Sequence, residues 1–108
     1  MPTEIKSYEQ YQQVTNSGKV VIIDFTATWC PPCNAIAPYF EKFSKEYSEV
    51  EFYKVDIDVD QVQGVVQELG VRAMPTFKVF KDGVKIGELL GANEKGLENL
   101  VKAAAAQA

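Results

Sequence analysis

The run Val20-Val21-Ile22-Ile23-Asp24-Phe25 leaves this chain few architectures to choose from. It is β-branched and apolar at even and odd positions alike. A strand with two apolar faces must be covered on both, which is the place of a central strand between two layers of helices. Asp24 is the one polar residue in it, and a C-x-x-C pair, Cys30 and Cys33, follows within a few residues.

The rest of the pattern agrees. Ser7 with Gln10 resembles a capping box, followed by Tyr8, Tyr11 and Val14 at helical spacing, with Gly18 as a stop. After the cysteines, Ile36, Phe40, Phe43 and Tyr47 recur at spacings of four and three, an amphipathic helix with one apolar stripe. Pro38 falls inside that stripe, so a kink is expected there. Val50 to Ile57 reads as a strand. Asp58 or Asp60 is the expected cap of a helix carrying Val62, Val65, Val66 and Leu69, closed by Gly70. Thr76 to Phe80 and Val84 to Leu90 read as antiparallel strands joined at Asp82-Gly83, a two-residue hairpin signal. Asn93 caps a last helix with Leu97, Leu100, Val101 and Ala104 on one face, fraying in the alanine-rich stretch Ala103 to Ala108. Helix-separated strands first and a hairpin last imply an α/β fold with a mixed sheet and helices on both sides.

At 108 residues, the expectation is a single domain spanning 1–108. A formal charge of −4 without a basic cluster argues against nucleic acid, and no apolar run is long enough to cross a membrane. Met1 to Gln13 is polar, with neither a secretory nor an Arg-rich transit pattern, so a cytoplasmic address is expected. The chain has no histidine. That removes a Cys–His hydrolase pair, a histidine base and a Cys₂His₂ zinc site.

Two cysteines in a reducing compartment are poorly suited to a structural framework. At a strand-to-helix junction, the i, i+3 spacing puts both sulfurs on one side of the first helical turn. The N–H groups and positive dipole end there favour a thiolate on Cys30, the expected nucleophile. Cys33, deeper in the turn, is the expected resolving thiol, attacking the mixed disulfide that Cys30 forms. Other readings of the pair are half of a zinc site, completed by Asp24 or a second chain, and an inert buried pair.

A carboxylate on a doubly covered strand is costly when ionised, so Asp24 is expected to have a raised pKa and to exchange a proton with Cys33. The alternative is an aspartate at a strand end that meets only water or Lys54. Met74-Pro75-Thr76 is compatible with a proline opening a strand and nothing more.

Phe25-Thr26-Ala27-Thr28-Trp29-Cys30, Pro32-Cys33, Pro38, Lys54-Val55-Asp56, Val71-Arg72-Ala73-Met74-Pro75-Thr76-Phe77 and Gly91 together resemble the thioredoxins, over essentially the full length. The resemblance implies the thioredoxin fold, a central mixed β-sheet flanked by four helices. It implies reduction of disulfides in client proteins by dithiol exchange, powered by NADPH through thioredoxin reductase, with no cofactor or metal held by the chain itself. It also implies a cis Met74-Pro75 peptide facing the cysteines and pairing with an extended client segment. Trp29, Ala73, Met74, Pro75, Gly91 and Ala92 would border the client groove, Pro38 would be structural and Lys54 would neighbour Asp24. The alternative reading of Trp29 is an ordinary core aromatic.

Two positions depart from the family. Thioredoxins usually carry glycine where this chain has Pro31 and lysine where it has Asn34. Pro31 removes a backbone donor near Cys30 and stiffens the loop before Pro32, and Asn34 removes a charge. Both are expected to weaken thiolate stabilisation and retune the redox potential. The same proline is also well placed in a first helical turn. Two further functions fit the pattern: a thioredoxin-like binding module with impaired turnover, and a metal or iron–sulfur scaffold with a cysteine pair from each of two chains.

Overall fold

The apolar run forms its strand at the centre of the sheet. The computed structural model describes residues 2–108, leaving Met1 outside. The elements are β1 Thr3–Glu4, α1 Tyr8–Thr15, β2 Val21–Thr26, α2 Pro31–Glu46, β3 Glu51–Asp56, a 3-10 turn Asp60–Val62, α3 Gln63–Leu69, β4 Thr76–Lys81, β5 Val84–Leu90 and α4 Glu94–Ala106. The sheet order is β1-β3-β2-β4-β5. β3 runs parallel to β1 and β2, whereas β4 is antiparallel to both β2 and β5. This is the expected mixed sheet with four helices.

Alternation along β2 divides the core. Val20 and Ile22 pack with Ile36, Phe40 and Phe43 of α2 and Leu97 and Val101 of α4. Val21, Ile23 and Phe25 pack on the opposite face with Tyr11 of α1 and Val65 of α3. Asp24 has the parity of Ile22 and lies on the α2 face, beside Lys54 in the parallel register of β3.

Local signals acted largely as read. Ser7 Oγ accepts from the Gln10 N–H, although the Gln10 side chain accepts from Lys6 N–H instead of closing a reciprocal box on Ser7. α1 ends at Thr15, before Gly18. Asp82 and Gly83 both take positive φ, 53° and 78°, the mirror-image turn that suits the twist of a hairpin. Asn93 Oδ1 accepts from the Gly96 N–H, and Gly70, at φ 62°, closes α3.

One strand was missed and three readings need correction. β1 has only two residues, too few for a period-2 signal, and it is placed by Ile5, which is 1% exposed beneath α1 and α3. Neither Asp58 nor Asp60 caps the third helix, because a 3-10 turn intervenes and Val62 occupies the N-cap position. Val50 and Ile57 lie outside β3, which spans Glu51–Asp56. Pro38 is exposed and lies outside the buried stripe of α2, at the rim of a cleft beside that helix, which spans Pro31–Glu46.

Candidate active site

β2 ends at Thr26 and α2 begins at Pro31, so the intervening turn carries Trp29 and Cys30 to the end of the sheet. Cys30 is the N-cap of α2, and its Sγ accepts the Cys33 N–H at 3.2 Å. Pro31 and Pro32 fill the first two helical positions and have no N–H, so the Cys33 amide is the backbone donor this turn offers the sulfur. Cys30 and Cys33 are joined by a disulfide, their Cα atoms 5.3 Å apart. Both are buried, at 4% and 1%, Cys33 the deeper.

Met74 faces the pair across the site, its carbonyl oxygen 3.8 Å from Cys30 Sγ. The Met74-Pro75 peptide is cis. The Pro75 carbonyl accepts the Gly91 N–H at 2.9 Å, which ties the end of β5 to this loop and sets Gly91 and Ala92 beside it. The Thr76 hydroxyl donates to the Ala73 carbonyl and braces the loop from the strand side. Trp29 is 61% exposed, which rules out the core-aromatic reading, and its indole N–H donates to Asp58 Oδ2 at 2.6 Å. Sequence reading missed Asp58 because it lies 29 residues from Trp29 and carries no local signal of the contact.

Asp24 is 4% exposed inside β2, and among the described residues its Oδ1 has no hydrogen-bond partner. Burial pushes its pKa from 3.8 to about 7, with the Lys54 ammonium pulling the other way. The strand-end alternative therefore does not hold. Asp24 and Cys33 both line one cleft beneath α2, and Lys54 stands at its side. Asn34 is exposed, with its Nδ2 directed at the Thr28 carbonyl at 3.5 Å. Among the described residues no group of three or more His, Cys, Asp or Glu is arranged to hold a metal ion, and no helix is long and apolar enough to cross a membrane.

A reversible cysteine pair at a strand-to-helix junction, with a buried carboxyl behind it and an exposed tryptophan in front, defines a thiol–disulfide oxidoreductase. Comparison with known proteins agrees. The family profile described as Thioredoxin matches residues 2–103. The chain is 50% identical over 98 residues to the thioredoxin of Coprinus comatus, covering 91% of this chain and 92% of the relative. It is 46% identical over 103 residues to thioredoxin-1 of Schizosaccharomyces pombe, covering 95% and 98%. The crystal structure of the Malassezia sympodialis thioredoxin, described as a member of a pan-allergen family, matches with a TM-score of 0.89 at 48% identity, covering 97% of this chain and 91% of that one. The chain belongs to the thioredoxin family, and it is a protein-disulfide oxidoreductase acting through Cys30 and Cys33.

Proposed function

We propose that the chain works as one domain, reducing client disulfides with Cys30 as nucleophile, Cys33 as resolving thiol and Asp24 as the proton acceptor for Cys33. The observation that carries this reading is the arrangement of the Cys30–Cys33 pair between the Met74 carbonyl and the buried Asp24. In the reduced form, the Cys30 thiolate attacks one sulfur of a client disulfide, forming a mixed disulfide and releasing a client thiolate. Cys33 passes its proton to the Asp24 carboxylate and attacks Cys30 Sγ. That closes the intramolecular disulfide, frees the second client thiolate and delivers two electrons in all. A carboxyl with a pKa near 7 is poised for this, being able to take or give the proton at neutral pH.

Clients bind along Trp29, Ala73, Met74, Pro75, Gly91 and Ala92, an extended segment lying against the backbone at Met74. Pro31, Pro32, Asn34 and Lys54 are the tuning residues, Pro32 and Asn34 at the helix end, Lys54 through the charge it places near Asp24, and Pro31 the weakest of them because its position does not serve the cap. Thioredoxin reductase, fed by NADPH, returns the disulfide to the dithiol, and the setting is cytoplasmic. A peroxiredoxin is one supported class of client. A structural neighbour at 34% identity and TM-score 0.87 is described in connection with the thiol resolving mechanism of yeast mitochondrial 1-Cys peroxiredoxin via glutathione/thioredoxin systems.

Insulin reduction with NADPH and thioredoxin reductase tests this. Cys30→Ser is expected to abolish turnover, and Cys33→Ser to accumulate a mixed disulfide with the client. Absence of turnover by the unaltered chain despite an alkylatable Cys30 would overturn the reading in favour of a binding module.

A further inference from the structure

α4 packs on β2, β5 and α2, and α2 covers β3 on that face through the Phe40–Phe52 ring contact. Between α2 and the strands lies a cleft of about 560 Å³. That volume lies within the range of small-molecule sites, roughly 300–1,000 Å³. Ala27, Ala37, Pro38 and Phe40 supply apolar wall, and Asp24 and Cys33 lie at the base. None of Trp29, Met74, Pro75, Gly91 or Ala92 lines it, so an occupant would not compete with a client for surface.

Two features define what the cleft would take. Asp24, 4% exposed, has a carboxylate oxygen with no donor among the described residues, and a buried acceptor gains most from a donor brought to it. The charges around it are unbalanced. Glu4 of β1, Glu41 of α2 and Asp56 of β3 stand with Asp24 against the ammonium of Lys54 in the cleft lining and that of Lys45, 4.0 Å from Glu41, outside it, a net negative field that concentrates cations. No metal-ligand group of three is arranged among the described residues, whereas the apolar wall suits a carbon body.

We propose that this cleft is a binding site for a small organic cation, an amidinium or guanidinium head directed at Asp24 with a compact apolar body against Ala37, Pro38 and Phe40. A planar head with parallel N–H groups matches a carboxylate better than a spherical ammonium does. The ligand requires Asp24 ionised, and by linkage it holds the carboxyl in that form. It would thereby regulate the acid behind Cys33 without touching the client groove.

The test is an amide NMR titration of the full oxidised chain with benzamidinium and, separately, with neutral benzamide. Saturable shifts are expected at Ala27, Thr28 and Ala37 with benzamidinium alone. With the Asp24 pKa at about 7, affinity is expected to rise roughly thirtyfold from about pH 5.5 to about pH 8.5, following the ionised fraction. Asp24→Asn should abolish binding. Ala37→Phe, which fills the cleft from α2 and is checked for a native spectrum, should do the same. Equal binding of benzamide, affinity independent of pH, no saturable shifts, or unimpaired binding by natively folded Ala37→Phe would each overturn the proposal. None of these outcomes bears on insulin turnover, which is measured without the cation.

Discussion

Asp58 holds the indole of Trp29 by a single hydrogen bond while most of the ring remains in solvent. An exposed aromatic held at one edge keeps its face open without further loss of rotamer freedom, and under the proposed client groove Asp58 would be a positioning residue for Trp29. Asp58→Ala is expected to raise KM for protein disulfides roughly threefold, the equivalent of one hydrogen bond of ~0.6 kcal/mol, and to leave kcat nearly unchanged. A shift in tryptophan fluorescence, Trp29 being the only tryptophan, reports the released ring directly. If kcat falls as steeply as KM rises, Asp58 has a different role. At this scale legibility was uneven. Cys30, Cys33 and Asp24 announced themselves by type and spacing, whereas Asp58 became relevant only when folding set it against Trp29.

The start of α2 is an element-scale device. An N-cap side chain accepts from the second or third amide of its helix. Pro32 has removed the second and Cys33 supplies the third. Pro31 stands at the first position, whose amide does not serve the cap, so its effect on the Cys30 sulfur is smaller than sequence reasoning suggests. Its main contribution is to restrict the unfolded chain. Pro31→Gly is therefore expected to cost about 0.4–1 kcal/mol in urea unfolding of either redox form, while alkylation of Cys30 at neutral pH changes less than about threefold. A tenfold faster alkylation would restore the lost-donor explanation. The β4–β5 turn offers a parallel case. At Gly83, φ is +78° and a Cβ would come within 2.6 Å of Asn16 Oδ1. Gly83→Ala should destabilise the chain by ~1 kcal/mol or more by thermal unfolding. That turn was readable as Asp-Gly. The 3-10 turn before α3 was not, because aspartates near a helix start look like caps until the chain's path is known.

For the whole molecule, the buried carboxyl links the redox site to stability. The Asp24 pKa is raised on folding from 3.8 to about 7, so the folded state binds the proton more tightly than the unfolded one. The stabilisation is complete below about pH 4, declines as pH rises toward 7 and levels off above it. Moving a carboxyl from 3.8 to about 7 corresponds to about 4 kcal/mol. Urea unfolding of the oxidised protein and of Asp24→Asn across this range should show the unaltered chain losing stability relative to the variant by an amount of that order. A constant difference would mean that Asp24 titrates normally in the fold. The burial that raises the Asp24 pKa to about 7 also makes its ionised form a cost to the native state at neutral pH.

Periodicity and residue type were enough to establish the four helices, the hairpin and the reactive pair, which rest on interactions close in sequence, and the central strand, whose two apolar faces mark it even though its partners lie in β3 and β4. Tertiary structure decided the rest. It docked the two-residue β1 through Ile5 and placed Pro38 at the rim of the cleft rather than in the buried stripe of α2, while Met74, 3.8 Å from Cys30, took the place that only the family resemblance had implied. It also joined Trp29 to Asp58 and left an acidic cleft behind the disulfide beside α2. These features depend on which distant segments meet and on how much water is excluded when they do, and no local pattern encodes either.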